Sequence, residues 1–541
     1  MRASKLRPRV AHWIVGAFAA IIWLPVSALR ADDYGSAIDE LRSRLAAVEE
    51  QNRALRQSLE GQRVLAPNSE AARALNADDR LGSLPSSVVA SFESLDFDVS
   101  SAPADAPGCP PPRTPHLSDS PPMSAKWGVS FNNNGLWFSS PDQAFKLHFG
   151  GSWQLDATGF IAPNRVTNGP DGTGPIPDGV DPRRLRWRFD GALFENVQFL
   201  VEVDFVNSAT ASTVTSVPAL IDLWVNYSNI PYLGNIRIGN QREPYGFERM
   251  MSTRFLDFME RSFNEDAFYS PFSNDDSPGI DVFNAVLDQR LTCSFGVFKN
   301  ITDAYGYDLT AEGWAETGRL TVLPVYDDDG AELLHLGVSA RNVSLNAGQV
   351  RYRVRGPERP GLSAQWPLYA DTGVFTGESQ QDVNFELVSV LGPWTLQAEW
   401  NLNFVQQAAL IGGPTVGTLF YKGAYCEVAY FLTGEHRLYT KSTAIFDRVV
   451  PNKNASIAHD RNDQTRGGWG AWQLAGRYNF VNLNDKGING GFLSDWTFGL
   501  NWYLNPNLKI QWNYSVTSRE SPTGASDGVI QGFGTRVAFD L

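Results

Sequence analysis

Arg184-Leu185-Arg186-Trp187-Arg188-Phe189 places a cation at every second position and a large apolar group at each position between. Successive side chains of a strand point to opposite faces, so this two-residue period puts the three arginines on one face and Leu185, Trp187 and Phe189 on the other. The scheme continues downstream. Val197, Phe199, Val201, Val203 and Phe205 alternate with Gln198, Glu202 and Asp204, and Ile221, Leu223, Val225 and Tyr227 alternate with Asp222 and Asn226. In a soluble sandwich such apolar faces would meet across a core. In a barrel they meet lipid, and the charged faces meet a water-filled lumen.

Strand number, strand length and connectors favour the barrel. Sixteen strand-like segments of roughly 8 to 16 residues can be marked, the first at 145–160 and the last at 530–541, and most are long enough to cross a bilayer when tilted. An even number suits a closed antiparallel bacterial barrel. Short turns at Glu195-Asn196, Asp288-Gln289, Gly392-Pro393 and Asn505-Pro506 are interleaved with long loops near 161–183, 242–277, 344–381 and 405–421. One connector breaks this alternation, because the segment Thr433 to Gly468 is long where a short turn is due. Asp327, Asp328 and Asp329 before Gly330 read as a hairpin turn. The predicted fold is all-β, a 16-stranded antiparallel transmembrane β-barrel over 125–541, preceded by a short α-helical coiled coil.

The N-terminal residues organise differently. Arg2, Lys5, Arg7 and Arg9, an apolar run from Val10 to Leu24, and the small residues Ser27, Ala28 and Ala31 form a secretory signal peptide over 1–31. Within 32–63, Ile38, Leu41, Leu45, Val48, Asn52, Leu55, Leu59 and Gln62 recur at alternating spacings of three and four. That is the heptad seam of a coiled coil, and it implies an oligomer. Residues 64–124 are rich in Ala, Ser and Pro, with Pro110, Pro111 and Pro112 in succession, and read as an extended linker.

Composition excludes several functions. The formal net charge of −14 argues against a nucleic-acid partner. Cys109, Cys293 and Cys426 are too few and too scattered for a disulfide framework or a zinc cluster. None of His12, His116, His148, His335, His436 and His459 stands in a catalytic motif, so an enzyme is not expected, nor is a cofactor.

At Gly239 the sequence reads GNQREPYGFERMMSTRFLDFMERS, and further blocks read FKLHFGGSWQLDA from Phe145, RRLRWRFDGALF from Arg183, CEVAYFLTGEHRLY from Cys426, GAWQLAGRYNF from Gly470 and DWTFGLNWYLNPN from Asp495. In kind and order these resemble the phosphate-selective porins of the porin O and porin P type. The resemblance covers about 400 residues and omits the coil and linker. It implies a homotrimer of 16-stranded barrels in the outer membrane of a Gram-negative-type bacterium, bounded by outer-membrane lipid. It further implies that the third and fifth loops and one long periplasmic turn fold into the lumen, which would account for Thr433 to Gly468. Small inorganic anions, phosphate or polyphosphate, would be led inward by basic side chains.

Guanidinium groups suit that task, because they replace part of an anion's hydration shell while a narrow wall focuses their field. The anion-binding candidates are Arg184, Arg186 and Arg188 on the strand, and Arg242, Arg249, Arg254 and Arg261 in the third loop, with Arg254 the foremost. Each strand arginine would cost about 2–4 kcal/mol facing mid-bilayer lipid, which places them inward. There Asp190, Glu202 and Asp204 are also positioned to neutralise them. Arg261 alternatively braces its loop through Glu260 or Glu265. Arg351, Arg353 and Arg355 alternate in the fifth loop and suggest an outer funnel. From Pro121 onward 32 Lys and Arg face 44 Asp and Glu, an acidic balance that strong phosphate selectivity would not favour. The alternative is a general diffusion porin whose coil, about 38 Å long at 1.5 Å per residue, reaches the cell wall as a tether.

Overall fold

The computed structural model describes residues 127–541 except 133–134, 195, 207–217, 270–275, 300–312, 346–347, 362–365 and 457–467. The signal peptide, coiled coil and linker expected from the sequence lie outside the described residues.

In chain order the strands begin with a hairpin, β1 (Gly128–Asn132) and β2 (Gly135–Ser139), then β3 (Phe145–Ile161), β4 (Gly179–Leu193), β5 (Val197–Asp204), β6 (Ala219–Ile230), β7 (Gly234–Gln241), β8 (Ser277–Val286), β9 (Leu291–Lys299), β10 (Trp314–Asp327) and β11 (Glu332–Ser344). Four short strands follow, β12 (Gln349–Val350), β13 (Arg353–Arg355), β14 (Leu368–Asp371) and β15 (Phe375–Thr376). The long strands resume with β16 (Ser379–Leu391), β17 (Trp394–Leu410) and β18 (Thr415–Phe431). After β19 (Tyr439–Thr440) and β20 (Ile445–Phe446) come β21 (Ala471–Asp485), β22 (Ile488–Asn505), β23 (Leu508–Glu520) and β24 (Gly528–Asp540).

Leaving aside the hairpin and the six short strands, sixteen strands pair antiparallel with their neighbours, and β24 returns to β3 from Gln531↔Ile161 to Asp540↔Ser152. The wall is therefore a closed antiparallel 16-stranded barrel, and each strand overlaps its expected segment. Closure leaves no open sheet edge in the wall to meet lipid. The alternation has the predicted sense. Phe149, Trp153, Trp187 and Phe189 are exposed on the outer face, while Gln154, Asp156, Arg184 and Arg186 are buried on the inner one.

One expectation needs correction. The segment 405–421 is not a long loop: β17 and β18 run to a four-residue connector at 411–414. Bulges between Val405 and Ala408 and between Ala408 and Ala409 shift the register, and Gln407 takes φ 51°. An extra residue flips the side-chain period, which hides a continuing strand from an alternation reading. The hairpin β1–β2 carried no expectation, yet β2 pairs with β3 from Leu136↔Phe149 to Ser139↔Lys146, along the part of β3 that β24 does not reach. Trp137 of the hairpin stacks on His148, with ring centroids 4.5 Å apart.

The apolar clusters lie inside the barrel, between wall and inserted chain. Phe263 and Phe268 of the third loop join Tyr352, Val354, Tyr369 and Phe375 of the fifth loop against Tyr421, Val481 and Leu493 of the wall. A second cluster packs Phe247, Met251 and Leu256 with Tyr439 and Phe446 against Leu323, Leu333, Val388 and Val390. Burying such side chains contributes roughly 1.5–3 kcal/mol each, so the insertions are part of the folded core.

Candidate functional site

The described parts of three segments enter the lumen: the third loop (242–269), the fifth loop (348–361 and 366–378) and the connector that leaves from the short-turn rim (432–456). The third loop is pinned by charge. Arg183 donates two hydrogen bonds to Glu260 at 2.9 and 3.0 Å, and Arg184 and Arg536 reach the same carboxylate at 3.2 and 2.8 Å. Burial alone would raise the Glu260 carboxyl, but these three guanidiniums hold it well below the usual carboxylate range. Glu243, at the start of the loop, is gripped by Arg341 at 2.7 Å and by Thr317 at 2.8 Å. Gly246 takes φ 69°, and a Cβ there would meet a Glu399 oxygen at 2.8 Å, so the loop's approach to the wall needs glycine.

The fifth loop lies against the third. Arg355 and Arg359 pair with Asp266, whose carboxyl they hold low against the effect of burial. Glu358 crosses to Ser515, 2.7 Å away, over Gly532 and Gly534, where side chains would collide with Glu358 or Met259. The connector joins from below. Arg437 donates to Asp257 at 2.5 Å, His335 meets Tyr439 at 2.8 Å, and Arg319 donates to the Ala444 carbonyl at 3.1 Å. All three insertions follow the placement that the resemblance implied.

Among the sequence candidates, the strand arginines do face inward, each with carboxylate partners. Arg184 meets Gln154 and Glu260, Arg186 pairs with Glu202 and Asp204 at 3.1 and 2.9 Å, and Arg188 pairs with Asp190 at 2.7 Å. Arg242 donates to the Met250 carbonyl at 3.1 Å and lies 3.6 Å from Asp276. Arg249 is buried on Glu265 at 2.8 Å with its guanidinium 3.5 Å from the Tyr269 ring centroid. Arg261 donates to the carbonyls of Glu248 and Met251 at 3.0 and 2.9 Å, with Glu265 3.9 Å away, so it braces the loop as its alternative reading held. In the fifth loop Arg351 pairs with Asp371 and Arg355 with Asp266.

Arg254 differs. Its Nε donates to Ser252 at 3.2 Å, and the nearest carboxylate, Asp540, is 3.8 Å from its Nη1. It lines a small open cavity together with Phe255, Arg448, Tyr503, Lys509 and Asp540. Three cations and one carboxylate therefore face this space. Arg448 and Lys509 were absent from the sequence candidates. Arg448 lies in the connector singled out as anomalous, and Lys509 opens the inward series Lys509, Gln511, Asn513 of β23.

Elsewhere the insertions cover the wall: Gln154, Asn501, Gln511 and Arg536 all face inward with at most 1% exposure. The more accessible inner surface runs along β4 to β7, where Arg188, Arg237 and Arg242 face Asp190, Glu202 and Asp222. With Asp276 beside Arg242 and Asp281 beside Arg237, carboxylates outnumber cations along this stretch. Arg254 lies in the field of Arg188 and Glu202 beside it.

The chain is 28% identical over 439 residues to an uncharacterized protein of Caulobacter vibrioides, covering 79% of this chain and 80% of that one. It is 22% identical over 438 residues to Porin O of Pseudomonas aeruginosa, covering 75% and 90%. Among solved structures it aligns with OmpT, an outer membrane protein of Vibrio cholerae, at 9% identity and a TM-score of 0.44, covering 74% of this chain and all of the other. A family model described as phosphate-selective porin O and P matches residues 164–539. The chain belongs to this porin family and forms an outer-membrane channel.

Proposed function

We propose that this channel passes small anions passively, and that Arg254, Arg448 and Lys509 supply the attraction. The observation that carries this reading is their convergence on one open cavity in which Asp540 is the single lining carboxylate among the described residues. An ion entering along the wall of β4 to β7, where each cation has carboxylate neighbours, meets no strong trap. At the cavity it exchanges part of its water for guanidinium and ammonium donors, in a setting whose low-dielectric walls strengthen their field. Arg448 is shared with Asp540 at 2.8 Å, which tempers binding and favours release. Phosphate as the solute and the homotrimer are carried over from the family resemblance.

A second reading is a general diffusion pore. The pairing of Arg186 and Arg188 with Glu202, Asp204 and Asp190 favours it, because a neutralised wall discriminates little. Single-channel recording in chloride with added phosphate separates the two. Anion preference with partial block by phosphate supports the proposal. Weak ion preference and no block support general diffusion.

A further inference from the structure

On the outward face of the barrel, near the long-loop rim, five polar side chains from neighbouring strands join in one row. Asn342 of β11 donates to Glu316 of β10 at 3.4 Å, and Gln381 of β16 donates to Asn342 at 3.1 Å. Gln406 of β17 donates to Gln381 at 2.8 Å, and Thr418 of β18 donates to Gln406 at 2.7 Å. Four strand gaps of about 4.8 Å make the row about 19 Å wide. The two-residue period puts Glu316, Asn342, Gln381 and Gln406 on the same face as Leu320, Leu336, Phe385 and Trp400, large apolar side chains exposed on the outside of the wall.

The row lies at one height. On β17 the outward positions run Trp394, Leu396, Ala398, Trp400, Leu402 and Phe404 before Gln406 breaks the apolar series. Trp394, with its ring centroid 4.4 Å from that of Tyr430, marks the aromatic girdle at the short-turn rim. Gln406 is twelve residues beyond Trp394, which at about 3.3 Å per residue and a tilt of about 40° is a rise of roughly 30 Å. An apolar band of about 25 Å with its borders accounts for that rise, so the row stands at the outer edge of the hydrocarbon. Hydrogen-bonding capacity is left over there. Among the described residues Asn342 and Gln406 each spend one of two amide N–H groups, and their side-chain carbonyls each accept one bond and keep a second lone pair. A lysine flanks each end. Lys299 Nζ lies 5.1 Å from the ring centroid of Trp314, two positions before Glu316, and Lys422 Nζ lies 6.0 Å from that of Phe420, two positions after Thr418.

We propose that this row holds the sugar headgroup of an anionic glycolipid in the outer leaflet. Its ring hydroxyls and amides meet Glu316, Asn342, Gln381 and Gln406, its phosphates meet the flanking lysines, and its acyl chains lie along Leu320, Leu336, Phe385 and Trp400. A phospholipid headgroup with one phosphate fills only part of a row this wide. A contact with a second copy of the chain would form a patch crossing several heights, whereas this row follows the membrane boundary over five strands. The site faces away from the lumen and is independent of the solute that the channel passes.

The test is native mass spectrometry of the purified full-length channel in detergent, titrated with lipid A, a phosphorylated and acylated disaccharide, and separately with phosphatidylethanolamine. The wild type is expected to be half-saturated by lipid A at a concentration about tenfold lower than by phosphatidylethanolamine, the gain of two or so added hydrogen bonds. Gln381→Leu combined with Gln406→Leu is expected to bring the two lipids within about twofold and to leave chloride conductance unchanged, which also shows that the variant barrel is folded. Equal half-saturation of the wild type by both lipids overturns the proposal without any variant, and so does an undiminished lipid A preference in the double variant. Gln381→Cys that forms a disulfide-linked dimer in membranes, where the wild type forms none, assigns the row to a second copy and overturns it as well.

Discussion

Arg437, fully buried in the connector that rises from the short-turn rim, donates to Asp257 of the third loop at 2.5 Å, joining two segments 180 residues apart. It also donates to the Phe255 carbonyl at 2.7 Å, directly behind the basic cavity. The two insertions therefore hold one another in place. Arg437→Ala leaves Asp257 buried with Gln473 as its remaining side-chain donor, 3.2 Å away. Removing one partner of a buried pair costs about 3–5 kcal/mol. The expected outcome is a lower thermal unfolding temperature of the folded barrel, with noisier single-channel current. A quiet, equally stable variant would show that the connector does not depend on this pair.

Glu260 is the equivalent anchor on the opposite side of the third loop. Glu260→Gln keeps the shape and removes the charge that Arg183, Arg184 and Arg536 share. Three buried guanidiniums then repel one another, and Arg536 keeps Asp156 at 2.7 Å. We expect a loss of about 3 kcal/mol or more in stability, measured by thermal unfolding. Hydrogen exchange should rise in Phe247–Tyr269 before it rises in the barrel strands.

Docking of the fifth loop should depend on pH through Glu358. Burial pushes its carboxyl up to about 8 from an ordinary 4.5, and Asp495 adds to the rise while Ser515 and Arg477 oppose it. The docked loop thus holds a proton that a free loop would release between these values. Docking is strongest below pH 4.5, weakens as pH rises towards 8 by about 1.4 kcal/mol per pH unit, and levels off above it. Hydrogen exchange of Arg353–Asp371 in buffers from pH 5 to 9, corrected for intrinsic rates, is the measurement. Glu358→Gln should abolish the pH dependence and keep the loop docked at pH 9.

The sidedness of β4 can be tested directly. Trp187 is 59% exposed on the outer face, whereas Arg188 faces inward on Asp190. In membranes, Arg188→Cys should react with a water-soluble thiol reagent and Trp187→Cys should not. Trp187→Arg should assemble poorly, with a penalty of about 2–4 kcal/mol if the position lies near mid-bilayer.

The wall was legible because its pattern is local: a two-residue period needs no knowledge of what lies across the lumen. It fails where that period is broken, at the bulges between Val405 and Ala409, or where inward positions meet protein instead of water. Val388, Val390, Val481 and Leu493 face inward and are fully buried, because the inserted segments cover them. Gly532 and Gly534 carried a readable hint, since glycine inside a strand marks a close approach of other chain, here Glu358 and Met259. The arginines were placed correctly on the inner face, but charge alone could not say which were committed. Arg186 and Arg254 look alike in sequence, and only the fold gives Arg186 two carboxylates and leaves the fork of Arg254 open. Arg448 and Lys509 escaped notice because their convergence with Arg254 joins three segments distant in the chain.

The most direct test of the channel account is the zero-current potential of the purified protein in a planar bilayer across a potassium chloride gradient, for the wild type and Arg254→Ala. The account predicts chloride preference in the wild type and a clear loss of that preference in Arg254→Ala. Potassium preference in the wild type, or the same potential in both proteins, would contradict it.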